Sequence, residues 1–213
     1  MIDNQLFSNI KAVFSFNPNE PMLFNSGLFL ILFTAFMAVY SMLYRKNFGR
    51  ILFVTLFSYY FYYKSSGHFF IILLFISITD FFIGRAIHRS QKKNHRQLLV
   101  FLTLFIDLGL LIYFKYTNLI VETLHGILSK PFDPFDIILP VGISFFTFQS
   151  ISYIIDIYRR KIDPLGSWFD YNFYLSFFPQ LVAGPIVRAS DFIPQIKKNR
   201  MYPHKCSERE YSL

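Results

Sequence analysis

The chain has 213 residues, of which 54% are hydrophobic and 21% aromatic, while only 16% carry charge. A soluble domain has roughly 25% charged residues, and one of this length could not hide so much apolar surface in a single core; the same numbers exclude intrinsic disorder, and a lone cysteine, Cys206, excludes a disulfide framework. The net charge of +8 sits between apolar runs rather than on a polar face, which fits membrane topology and argues against a nucleic-acid partner.

In chain order, residues 1–21 read as an external N-terminal segment: they carry Asp3 and Lys11 and lack the apolar stretch of a cleavable signal. The first uncharged run, Pro21 to Tyr44, is long enough for a spanning helix of ~20 residues. Ile51 to Tyr63 lies between Arg50 and Lys64, and a further run continues from Ser65 through Asp80 to Gly84. These two predict a hairpin of short helices with its turn at residues 64–67, housed in a thinned bilayer or a bundle. Gln97 to Phe114 predicts a fourth span, interrupted only by Asp107. An external loop is expected from Tyr116 to Asp136, then a fifth span from Ile137 to Ile157. The last uncharged stretch, Tyr171 to Val187, holds Pro179, Gly184 and Pro185, and so predicts a broken or re-entrant helix with a turn at Ala183 to Pro185. The fold class is all-α, a polytopic membrane helical bundle, with 1–213 a single transmembrane region.

The loops after spans one, three and five hold eleven basic residues, against four on the opposite side. The positive-inside rule then places the basic loops in the cytoplasm and the N-terminus outside.

Polar residues within the spans need a reason, because a charge at the bilayer centre costs about 2.5–3.5 kcal/mol on insertion scales. Asp80 and Asp107 read either as structural hydrogen-bonding groups or as the walls of a polar cavity. Gln149, Ser152 and Asp156 fall at i, i+3 and i+7, within roughly 60° of one another on a helix. Such a stripe either lines a channel or holds helices together. The five histidines, His68, His88, His95, His125 and His204, fall at helix ends, in loops or in the polar tail. No metal-ligand spacing, nucleophile elbow or phosphate loop is present, so no metal site is expected.

Residues 139–158 read LPVGISFFTFQSISYIIDIY, and residues 177–188 read FFPQLVAGPIVR, followed by Asp191, Pro194 and Gln195. Together with the Tyr-rich stretch 58–63 and the run ending at Gly84, these strings closely resemble the N-terminal half of bacterial membrane-bound O-acyltransferases. The nearest types are the alginate O-acetyltransferases and the D-alanyl transfer proteins of teichoic acid modification. The resemblance covers roughly Met22 to the end. It implies a partial ring of helices with a thinned centre in the bacterial inner or plasma membrane. Cavities from the two faces would meet in a tunnel. An acyl donor such as acetyl-CoA or an acyl-carrier thioester would be handled from the cytoplasm. The acceptor would be a glycan hydroxyl or an acyl-relay protein outside, and no cofactor would be covalently bound. Gln149, Ser152, Asp156 and Gln180 are the substrate-channel candidates. The family's general base is a histidine of the later half, and none of the five here matches its position. No catalytic residue is therefore expected within this chain, which reads as the N-terminal part of a larger enzyme. The competing reading is a non-catalytic membrane scaffold or transport subunit.

Overall fold

The computed structural model describes residues 16, 22, 24–43, 47–128, 133–183 and 187–194, and among these all regular structure is helical. Helix α1, Gly27–Met42, starts at Ser26, whose hydroxyl accepts from the Phe29 amide at 3.2 Å. It runs antiparallel to α2, Asn47–Ser66: Phe29 meets Phe61, Phe36 meets Phe53, and Arg50 donates to the Tyr40 hydroxyl.

Charge ends the second apolar run in the sequence, but it does not end the helix. Arg50 lies over the Tyr40 ring at 4.4 Å, and Lys64 is buried in the last turn. Helix α2 therefore has 20 residues, as does α3, Phe70–Arg89. Each is about 30 Å long, enough for a full hydrocarbon crossing where the sequence predicts a short span.

The two are joined at Gly67, whose φ of 63° lies where a side chain is strained, followed by one 3₁₀ turn, Gly67–Phe69. Tyr59 and Tyr63 of α2 both meet Phe70 across this turn, so the chain folds back as a V. The expected hairpin is present, with longer legs.

Helix α4, Lys93–Leu111, passes through a π turn, Ile112–Tyr116, into α5, Thr117–Ile127. The expected external loop from Tyr116 to Asp136 is thus corrected, since helix continues to Ile127 and includes His125. Glu122 and His125 interrupt the uncharged run, but Leu119, Ile120, Leu124 and Ile127 keep a helical period. The returning chain is held by Asn118, whose amide donates to the Phe135 carbonyl at 2.9 Å and accepts from the Phe135 amide at 3.0 Å.

The fifth expected span is corrected at its start. Residues 137–140 are not helical, and α6 is Ile143–Tyr158. Pro140 disfavours helix in the residue before it, and Gly142 turns the chain with φ 77°. The last stretch is broken, as expected, into α7, Trp168–Ser176, and α8, Phe178–Ala183. The described break is at Phe177, whose ψ of 106° leaves the helical region just before Phe178 and Pro179. The turn expected at Ala183 to Pro185 lies outside the described residues from Gly184 onward.

Helix α7 closes the open end of the V. Phe169 packs on Phe48 of α2, while Trp168 Nε1 donates to Ser77 Oγ of α3 at 3.1 Å. Helices α3 and α6 are central, with α4 against both. A second, aromatic core joins α1 and α2 around Phe178.

The core is apolar, and so is much of the outer surface, unlike that of a protein in water. On α4, Leu98, Phe101 and Phe105 point outward at 62–69% exposure, while Thr103 and Asp107 are fully covered. In a bilayer that arrangement is the stable one, since lipid tails solvate phenyl rings and not carboxylates. The helical stretches Phe48–Arg89 and Lys93–Ile127 are both long and apolar enough to cross. Charge collects at one end of the bundle, where Arg50 meets Tyr40, Arg85 reaches the Gly166 carbonyl, Arg96 bonds the Tyr158 carbonyl, and His88 lies 3.9 Å from Asp163.

Candidate functional site: a polar seam on α6

The sequence places an unusual number of hydrogen-bonding groups on α6, and the fold turns two sets of them inward. The first set centres on Gln149, which is buried. Its Nε2 donates to the Tyr174 carbonyl at 2.9 Å and to Gln180 Oε1 at 3.2 Å. The single hydrogen of the Tyr174 hydroxyl faces the Gln149 and Val187 carbonyls, each 3.4 Å away. Gln149 thus joins α6 to α7 and α8. It satisfies a carbonyl near the C-terminus of α7, where the helix has no amide left to offer.

The second set centres on Ser150. Its hydroxyl donates to Asp80 Oδ2 of α3 and lies 3.3 Å from the Tyr171 hydroxyl of α7. Asp107 of α4 faces the same serine. Nearby, Tyr153 accepts a bond from the Leu165 amide at 3.1 Å, which ties down the chain entering α7. Tyr59 of α2 donates to Asn172 Oδ1 at 2.6 Å. Helix α7 is therefore held by hydrogen bonds from α2, α3 and α6.

Of the four channel candidates, Gln149 and Gln180 are in direct contact. Ser152 and Asp156 are half-buried further along α6, and Asp156 lies toward Tyr174. Ser150, Tyr171, Tyr174 and Asn172 were missed by the spacing rule. Ser150 is adjacent to Gln149 and so falls about 100° away, outside the stripe. Its signal is the pairing with Asp80, which only the fold supplies. The described histidines stay away from this seam: His68, His88 and His95 are exposed, and His125 Nδ1 lies 2.9 Å from the Val121 carbonyl. Among the described residues no three His, Cys, Asp or Glu side chains converge as a metal site would require.

The chain resembles known proteins along most of its length. The chain is 32% identical over 211 residues to the peptidoglycan O-acetyltransferase of Helicobacter pylori, an alignment covering 85% of this chain and 40% of that protein. It is 34% identical over 182 residues to the probable alginate O-acetylase AlgI of Pseudomonas aeruginosa, covering 82% and 34% respectively. The Azotobacter vinelandii probable alginate O-acetylase AlgI is 34% identical over 179 residues, covering 82% and 36%. This chain belongs to the membrane-bound O-acyltransferase family. It spans two-fifths or less of the length of these O-acyltransferase relatives. No family model matches it, and no solved structure does.

Proposed function

We propose that these residues form part of the wall of a membrane O-acyltransferase. The enzyme moves an acyl group, foremost acetyl, from a thioester such as acetyl-CoA or an acyl-carrier conjugate to a hydroxyl of a cell-surface polysaccharide. The observation that carries this reading is the likeness to relatives named for peptidoglycan and alginate O-acetylation along more than four-fifths of the chain. In this scheme Gln149 and Gln180 border the channel. The family's histidine acts from outside the described residues, taking the acceptor hydroxyl's proton as the oxygen attacks the thioester carbon and the thiolate leaves. The acceptor is reached directly or through an acyl-relay protein.

The test is the O-acetyl content of wall and capsular glycan in a strain lacking the gene, complemented with the full-length gene or its variants. The null strain should lose the ester and the wild-type gene should restore it. Gln149→Ala should restore it poorly, by about 10²-fold in rate, because a side chain that sets the position of α7 is removed. Ester content unchanged in the null strain would remove the reading and leave the scaffold interpretation.

The second expectation concerns sidedness. We propose a multi-pass chain in the plasma membrane with its N-terminus outside and its basic end in the cytoplasm. With Cys206 replaced by serine, Asn94→Cys should resist an impermeant thiol reagent in intact cells. Glu122→Cys, at the far end of the α4–α5 helix, should react. The reverse pattern would invert the topology.

A further inference from the structure

Two carboxylates are buried in the bundle, and among the described residues no cation pairs with either. Asp80 is 1% exposed and Asp107 is 0% exposed. Among the described residues, no hydrogen bond of ordinary geometry reaches Asp80 Oδ1 or either oxygen of Asp107, although Ser150 and Tyr171 stand close by, and neither carboxylate makes an ion pair. Buried polar atoms almost always have partners, so three orphaned oxygens at one place require an explanation. Two ionised carboxylates there would cost several kcal/mol apiece and would repel each other as well.

The hydrogen count at Ser150 supplies the explanation. A serine hydroxyl has one hydrogen and two acceptor positions. That hydrogen is committed to Asp80 Oδ2. Toward Asp107, Ser150 can therefore only accept, and an ionised Asp107 has nothing to donate. A single proton on Asp107 completes the set: Asp107 O–H donates to Ser150 Oγ, and Ser150 O–H donates to Asp80.

We propose that Asp107, Ser150 and Asp80 form a buried one-proton site shared between α4 and α3. The trio then carries one negative charge in place of two. If Asp107 gives its proton to Ser150 while Ser150 passes its own to Asp80, the excess proton moves from α4 to α3. Two O–H bonds break and two form, and no other reactant is needed.

Among the described residues, one other titratable group reaches this site directly, Tyr171, which stands against both Ser150 and Asp80. From α7, Tyr171 presents its hydroxyl to Ser150, next to Asp170 in the chain, while Tyr174 is engaged with Gln149 and Val187 and has Asp156 toward it. From α6, the Tyr153 hydroxyl is engaged with the Leu165 amide. On α3 the nearest cation in sequence is Arg85, which lies 5.3 Å over the Phe81 ring and donates to the Gly166 carbonyl. Between Arg96 and Asp107, α4 has no other titratable side chain.

The experiment is infrared spectroscopy of the full-length protein in nanodiscs at neutral pH, reading the C=O stretch of protonated carboxyl groups. A protonated-carboxyl band is expected in the wild type, absent from the isosteric double variant Asp80→Asn/Asp107→Asn and shifted in Ser150→Ala. No such band in the wild type would overturn the proposal, whatever the variants do. A band unchanged in the double variant would overturn it too. A band that vanishes when sodium is added would show that a metal cation, not a proton, balances the charge.

Discussion

Replacing Gly142 by alanine should lower the melting temperature more than Phe178→Ala does. A methyl group there would lie 2.2 Å from the Leu181 carbonyl oxygen, a backbone atom of α8 that cannot swing aside. The φ of 77° adds a second cost. The left-handed conformation costs roughly 1–2 kcal/mol for an L-residue, and overpacking typically costs about 1–3 kcal/mol more. The expected loss is about 2–5 kcal/mol, a large part of a typical stability of roughly 5–15 kcal/mol. Thermal melts of detergent-solubilised protein, followed by size-exclusion chromatography, measure it. Gly27→Ala is the control, because nothing lies within 4 Å of its position at the start of α1. Alanine there should be neutral or stabilise by up to about 1 kcal/mol. Equal melting of the two variants would show that α8 does not rest on Gly142.

Truncating Phe178 should be the next most damaging change. Its ring meets Phe36 at 5.7 Å, Phe57 at 5.2 Å and Phe61 at 5.8 Å, so it joins α1, α2 and α8. In a water-soluble core Phe→Ala costs about 3–5 kcal/mol, as a transfer term plus a cavity term. In a bilayer the displaced ring was never going to water, so the transfer term largely drops out. About half of the soluble value should remain, from lost packing around the cavity. Phe105→Ala removes an equal ring from the lipid face of α4 and should change the melting temperature little. A loss at Phe105 as large as that at Phe178 would mean that α4 is covered by protein on that face.

The helices were legible in the sequence where apolar runs are long and flanked by charge, as for α1 and α4. Charge misled at both ends of α2, because Arg50 and Lys64 stay within the helix, stacked on Tyr40 or buried. It misled again at α5, where Glu122 and His125 sit on one side of an amphipathic turn and leave the period intact. Pro179 announced a break in the last stretch, yet the chain leaves the helix two residues earlier, at Phe177, so that Pro179 stands in the first turn of α8 where it needs no amide partner. At the polar seam, Gln149 could be found from one helix alone. Asp80 and Asp107 could be flagged singly, but their meeting at Ser150 joins positions 70 and 43 residues away along the chain, which no local period encodes.

Helix α7 has consequences for how the protein is made. Its nine residues reach only about 13 Å, less than half of a bilayer's apolar thickness. Asp170 and Asn172, with its tyrosine hydroxyls, make it a poor substrate for direct partitioning into lipid. It cannot be threaded through the translocon as an ordinary stop-transfer segment. It has to be taken up afterwards by the V of α2 and α3, whose Tyr59 and Ser77 offer the hydrogen bonds that lipid lacks. In a bilayer the V of α2 and α3 would therefore have to form first and receive α7 afterwards, so that α7's short length and polar side chains would set the order of assembly.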